Sequence, residues 1–271
     1  MNKNLARVIL ITAGAIWGIG FVANKFVLDN GWQESQLIFV RFFTATILIF
    51  AVFFRRILKT NWKTIKYGLF LGIFLYLGFF FQTWGIANTT ASNNALITAG
   101  YIVMLPVMVY LFDKTKVHTK TVIAGFVTLI GIALITVDFK DLSNIASGDY
   151  LTFIGAFFFG IHIYLLGKLT KKVDLYVLMA FQLLAFCIMA TTMMLVKDGF
   201  PSIDLGNAID LKVLLVAVFM GAFGSFLAFV MQSIGQKNTN ASEAAILIST
   251  ESLFGPLFAI AIYGDPFDFQ F

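Results

Sequence analysis

Long apolar runs separated by short polar turns set the pattern of this chain, and nine of them approach bilayer length at about 20 residues per crossing. They lie near Leu5–Leu28, Ser35–Phe54, Ile65–Ala87, Ala91–Phe112, Thr121–Val137, Leu151–Leu166, Leu175–Val196, Val213–Ile234 and Ala241–Tyr263. Each predicts a spanning helix, so the expected class is an all-α integral membrane protein. Lys3 and Arg7 precede the first run as they would in a secretory signal. That run, however, continues to Leu28 with no convincing small-residue cleavage site, which marks a retained first helix.

The pattern repeats itself. Residues 82–106 read QTWGIANTTASNNALITAGYIVMLP, and 150 positions later residues 232–256 read QSIGQKNTNASEAAILISTESLFGP. Gln82/Gln232, Gly85/Gly235, Asn88/Asn238, Ala91/Ala241, Ala95/Ala245 and Pro106/Pro256 match without a gap. Each copy is the end of one segment, a polar turn and the start of the next. A unit with an odd number of crossings, five, turns its second copy upside down, giving an inverted repeat of five-helix units. The expected division is 1–139 and 148–271. On a ten-helix plan a tenth segment should follow Tyr263, but nine are legible: either the sequence is truncated or the protein lacks its last helix.

Composition supports the membrane class. Hydrophobic residues make up 59% of the 271 and charged residues 12%, against about 25% charged in soluble domains. The net charge of +5 lies in short loops with no continuous basic face, which argues against a nucleic-acid partner. Of the 19 Lys and Arg residues, fourteen fall on one set of alternate loops and four on the other, with Arg41 inside a segment. By the positive-inside rule this places the N-terminus in the cytoplasm of a plasma-membrane protein, with acidic loops outside. The lone Cys187 lies in an apolar run and permits no intrachain disulfide.

Several local motifs then resemble the drug/metabolite transporter superfamily, EamA type. They are Trp17-Gly18-Ile19-Gly20-Phe21 followed by Lys25, Arg41-Phe42, Gln82-x-x-Gly85 before Asn88-Thr89-Thr90-Ala91-Ser92, Gly125 through Gly131-Ile132-Ala133-Leu134, and Gly148-Asp149. Their order covers nearly the whole chain. The resemblance implies ten helices in two repeats and, more often than not, export of small metabolites. It also implies that the last helix of each half is peripheral, so its absence would bear on stability or homodimerisation more than on the site. Where many members place Pro after the residue matching Glu251, this chain has Ser252, with Pro256 later.

Chemistry-bearing residues inside the segments are few. Glu251 lies nine residues after Ser242 and twelve before Tyr263, roughly 13–18 Å from either end and too deep to snorkel. It must be paired, protonated or beside a wet cavity, either as a neutral structural group or as a proton or amine site. Arg41, about 9 Å deep, either snorkels or holds a carboxylate, that of Glu251 or of a substrate. Lys25 lies nearer its helix end and snorkels or binds. Asn94, Thr98 and Tyr101 fall at i, i+4 and i+7 on one helix face, and Tyr101 matches Glu251 in the repeat. Gln82 and Gln232 close equivalent helices. Trp17 shares a face with Phe21 and Asn24, as gate, cavity wall or packing.

The structural readings of other residues are simpler. His162 reads as a satisfied core histidine. The motifs Gly14-x-x-x-Gly18 and Gly68-x-x-x-Gly72 suit close helix packing. Pro106 and Pro256 point to hinges or a midplane site, and Ser92 and Ser242 to N-caps.

Together these predict a secondary transporter, an exporter of small metabolites such as amino acids, working by alternating access between inverted repeats. Its partners are a small-molecule substrate and the lipid bilayer. Alternatives are a non-transporting receptor or scaffold, or a membrane-embedded enzyme. The latter would need a nucleophile, base or metal set, and no HExxH, GxSxG or acidic metal cluster is present in the sequence. No cofactor or metal is implied.

Overall fold

The computed structural model describes residues 1–114, 146–204 and 207–264, with isolated positions between 119 and 131. The predicted fifth segment, Thr121–Val137, falls largely outside the described residues, as does His118. All the described elements are helical: α1 (Lys3–Asp29), α2 (Glu34–Ile57), α3 (Trp62–Ala87), α4 (Ala91–Thr98), α5 (Tyr101–Asp113), α6 (Ser147–Leu169), α7 (Leu175–Lys197), α8 (Ala208–Met220), α9 (Ala228–Lys237), α10 (Ala241–Ile248) and α11 (Glu251–Phe258). A π-helical stretch, Gly221–Leu227, joins α8 to α9, and another, Ala259–Tyr263, comes after α11. Among the described residues, eight spans are long and apolar enough to cross a membrane. Helices meet this need because every backbone N–H and C=O is satisfied within the segment.

The repeat is visible as local geometry. α3 and α9 end 150 residues apart, at Ala87 and Lys237. In the turn after each, an asparagine side chain folds back, Asn88 Nδ2 onto the Trp84 carbonyl at 2.9 Å and Asn238 Nδ2 onto that of Ile234 at 2.8 Å. The next helices are then capped equivalently. Thr90 accepts from the Asn93 N–H, and Asn240 from that of Glu243. The caps are therefore Thr90 and Asn240, two residues before the serines that the sequence suggested. Backbone in the extended region at these positions turns their side-chain oxygens onto the first free N–H groups.

Both copies also tighten at the same place. The spans expected to run unbroken from Ala91 and Ala241 divide at Ala99–Gly100 and at Ser249–Thr250. There the backbone takes i→i−3 bonds, Ile102 N to Ala99 O and Ser252 N to Ser249 O. Pro106 and Pro256 lie inside α5 and α11. Each removes an N–H and crowds the carbonyl four residues back, and the tightening is taken up in the turn before that carbonyl.

Small residues set how the helices approach. Ideal Cβ atoms at Gly14 and Gly18 of α1 would come within 2.5 Å of Thr250 Oγ1 and Phe254 Cβ. Only hydrogen fits, so the glycine stripe of α1 seats the bend between α10 and α11. The Gly68 and Gly72 positions of α3 do the same against α7, where a Cβ would meet Phe181 Cβ at 2.6 Å and the Gln182 carbonyl at 2.5 Å. Around these contacts runs a core of aromatic and aliphatic side chains, including Phe42, Phe79, Phe159, Phe186 and Phe229.

Candidate functional site

The tightened turn before α11 fixes Glu251 as that helix's first residue, in the middle of the span from Ala241 to Ile262. The equivalent turn fixes Tyr101 at the start of α5. These repeat-equivalent residues meet: the Tyr101 hydroxyl donates to Glu251 Oε1 at 2.9 Å, and both side chains are buried. Phe79 and Phe229, also 150 positions apart, face each other nearby with centroids 6.0 Å apart.

Tyr101, Glu251, Thr98, Gln232, Phe79, Phe159, Phe229, His162 and Trp17 enclose a pocket of ≈ 30 Å³. Gln232 Oε1 is buried there with no hydrogen-bond partner among the described residues. His162 Nε2 lies 3.1 Å from the Gln182 side-chain oxygen, so it is a hydrogen-bonded wall residue.

Arg41 closes a second pocket of ≈ 30 Å³, with Asn24, Gln82, Phe21, Trp17 and Phe79. Its side chain turns inward, at 1% exposure, so it does not snorkel. Nη1 donates to Asn24 Oδ1 at 2.8 Å and Nη2 to Ser225 Oγ at 3.3 Å, while Nε has no partner among the described residues. The guanidinium carbon sits 5.2 Å from the Phe79 centroid and 5.7 Å from that of Phe42. Among the described residues its partners are thus neutral dipoles and aromatic faces, with no carboxylate. Ser225 comes from the π-helical stretch, whose widened turn also leaves the Gly224 carbonyl to accept from Trp17 Nε1 at 2.8 Å.

Trp17 and Phe79 line both pockets and stand between the carboxyl and the guanidinium. Gln82 connects them, since it lines the arginine pocket and donates to Thr98 Oγ1 of the glutamate pocket at 3.0 Å. Two residues that the sequence points to as site candidates lie outside both pockets. Asn94 donates to the Gln82 carbonyl at 3.1 Å and to Thr152 Oγ1 at 2.6 Å, joining α4 to α3 and α6. Lys25 reaches Asp29 at 3.2 Å along its own helix. Sequence reasoning missed Phe79 and Phe229, although extending the repeat by three residues upstream of Gln82 and Gln232 reaches both. It also missed Ser225, for which the sequence holds no signal.

A larger cavity of ≈ 890 Å³ opens at the end of the bundle that carries Arg7, Lys168 and Lys171. Tyr164 and Leu247 line it, next in sequence to Ile163 and Ile248 of the glutamate pocket. The opposite end is drawn together where Ser35 Oγ donates to Asp198 Oδ2 at 2.6 Å and Gln36 Nε2 to the Gly199 carbonyl at 3.2 Å. Among the described residues no group of three or more His, Cys, Asp or Glu gathers as metal ligands would.

A multi-pass helical bundle with hydrogen-bonding and ionisable groups gathered at mid-depth, and a vestibule leading towards them, has the anatomy of a membrane transporter. The sequence profile of the EamA-like transporter family matches residues 5–137 and 146–271, and the chain belongs to that family. It is 29% identical over 258 residues to an uncharacterized transporter of Archaeoglobus fulgidus, covering 94% of this chain and 77% of that protein. An uncharacterized transporter of Methanothermobacter thermautotrophicus is 26% identical over 187 residues, 68% of this chain and 53% of that one. A solved crystal structure shares the fold at a TM-score of 0.74, covering 98% of this chain and 91% of its own at 16% identity.

Proposed function

We propose that this protein exports small zwitterionic metabolites, amino acids and related compounds, by alternating access between two inverted five-helix halves, residues 1–139 and 148–271. The observation that carries the reading is the central pair of opposite valences. A carboxyl held by Tyr101 and a guanidinium with no carboxylate partner among the described residues lie in adjoining pockets, divided by Trp17 and Phe79. A substrate carboxylate takes the free side of the Arg41 fork, where it replaces neutral partners with a charged, bidentate one. The substrate ammonium takes Glu251, displacing or sharing the Tyr101 bond. Thr98, Gln82 and Gln232 meet the remaining polar groups, and the aromatic walls accept an apolar side chain.

Each pocket holds no more than about one or two waters, so this conformation is closed around the centre. Substrate occupies the site when movement of the halves merges the pockets. The vestibule at the basic end is the entry from the cytoplasm in this scheme, with the N-terminus on that side, as Lys and Arg bias predicts. Protonation of Glu251 couples flux to a proton gradient.

The test is flux of labelled amino acids into or out of proteoliposomes, wild type against Glu251→Gln. Saturable flux that is lost, or insensitive to pH, in the variant supports both the carrier and its central carboxyl. Unchanged saturable flux with full pH dependence removes Glu251 from the mechanism.

A further inference from the structure

The basic end holds a second large cavity, of ≈ 910 Å³, beside the vestibule. Arg55, Arg56 and Lys59 reach it from the end of α2, Lys63 from the start of α3, Lys171 and Lys172 from the turn after α6, and Lys237 from the end of α9. Seven cations from three separate stretches of chain therefore line one cavity. Asp174 is the single carboxylate among its described lining residues, and its capacity is already taken. Oδ2 holds Arg56 at 3.1 Å, and Oδ1 caps the N–H groups of Tyr176 and Val177.

A general excess of Lys and Arg on one side of a membrane protein does not produce this. Among the described residues, the neighbouring vestibule, of nearly the same size, has four cations on its wall. Two of those are ion-paired, Arg7 with Glu243 and Lys168 with Asp113. The other two, Lys171 and Lys172, are the ones it shares with the basic cavity. Charge is balanced on one side of that ridge and left open on the other.

The residues beside the cations indicate what fills it. Phe54 and Leu58 alternate with Arg55 and Lys59 at the end of α2, and Trp62 precedes Lys63; all three apolar side chains are more than half exposed, at 56%, 70% and 64%. The Lys66 ammonium lies 5.6 Å from the Trp62 ring. An exposed tryptophan with lysines around it marks the depth of lipid headgroups. Neutral polar residues complete the wall, with Thr60, Asn61 and Thr64 among its lining residues.

We infer that this cavity binds the headgroup phosphate of an anionic membrane lipid, with the acyl chains lying along Phe54, Leu58 and Trp62. Basic pockets between spanning helices offer several donors and a low-dielectric wall to a phosphodiester, which strengthens the attraction beyond that of a flat charged surface.

The experiment is native mass spectrometry of the full chain purified in mild detergent and titrated with phosphatidylglycerol, phosphatidylcholine or inorganic phosphate. Wild type is compared with Lys63→Gln/Lys172→Gln, inside the cavity, and with Lys3→Gln/Lys114→Gln, equal in charge and outside it. The expected result is retention of phosphatidylglycerol over phosphatidylcholine. The cavity variant should weaken it roughly thirtyfold, the scale of two lysines facing an anionic headgroup, and the outside variant should leave it unchanged. Equal losses in the two variants would reduce the effect to general surface charge and overturn the site. So would equal retention of phosphatidylcholine, or inorganic phosphate that displaces the lipid at matched concentration, which would assign the cavity to a soluble anion. None of these outcomes depends on whether the protein transports amino acids.

Discussion

Arg41 is the harder of the two central ionisable groups to hold in a bilayer, because its partners are dipoles and rings while Glu251 can take up a proton. A buried guanidinium left in this state is one that gains most from an incoming carboxylate. Arg41→Gln should therefore raise the KM for a transported zwitterion, by roughly ten- to a hundredfold for a lost charge-assisted bond of about 1.5–3 kcal/mol. Flux of the matching decarboxylated amine should change far less, and a parallel loss for both compounds would place Arg41 in structure instead. Tyr101→Phe removes the hydroxyl that holds Glu251 in place. It should move the pH profile of flux while leaving thermal stability within about 1 kcal/mol, whereas a purely structural bond would move stability and leave the profile alone. Glu251 was legible in sequence as a lone carboxylate deep in an apolar run, and Tyr101 as its counterpart in the repeat. The direction of Arg41 was not, since its depth allows either snorkelling or turning inward, and packing against α1 and the π-helical stretch decides. Asn94 shares a face of α4 with Thr98 but lies one turn nearer the helix start, where it meets the Gln82 carbonyl and Thr152 of α6 and so ties helices together instead of lining the pocket. Tyr101 reaches the pocket from beyond the tightened turn at Ala99–Gly100.

Helix existence was easy to read from the chain because lipid demands long apolar runs, and eight of the nine expected segments coincide with described spans. Ends were less legible. Helices continue into the polar interface, as α3 does from Trp62 and α6 from Ser147, where apolar content no longer marks them. The prolines point to hinges at their own positions, yet the breaks at Ala99–Gly100 and Ser249–Thr250 lie nearly two turns earlier. This gives the prolines a specific role. Pro256→Ala restores an N–H donor to the carbonyl of Ser252 and should raise the melting temperature in detergent, for a gain of about 1 kcal/mol. If the bend serves the motion between states, the same variant should slow turnover, and faster or unchanged turnover would leave the bend a static feature. Gly18→Ala tests the seat beneath it. With Phe254 Cβ 2.5 Å from the added atom, α1 or α11 must shift, at a cost of about 1–3 kcal/mol, read as an earlier melting transition. A transition unchanged from wild type would show that α1 does not hold the bend.

At the scale of the whole molecule, one end of the bundle is tied and the other is hollow. The vestibule at the basic end reaches toward the central pockets. At the acidic end the start of α2 is bound to the end of α7 through Ser35 and Asp198, and through Gln36 and the Gly199 carbonyl. In the proposed division α2 belongs to the first half and α7 to the second, so these bonds cross between halves. Alternating access requires them to part once in each cycle, since the centre cannot face the acidic side while α2 and α7 stay joined there. Ser35→Cys/Asp198→Cys in a Cys187→Ser background leaves no other cysteine in the chain. A short thiol-reactive crosslinker that can be released by reductant should then arrest saturable flux in proteoliposomes. Reductant should restore it, and either single-cysteine protein should be unaffected by the same treatment. Binding of substrate from the basic side should survive the crosslink, because that vestibule remains open. A crosslinked protein that still moves substrate at the rate of the reduced form would show that α2 and α7 do not separate at this end, and the two halves would then have to exchange access along another seam.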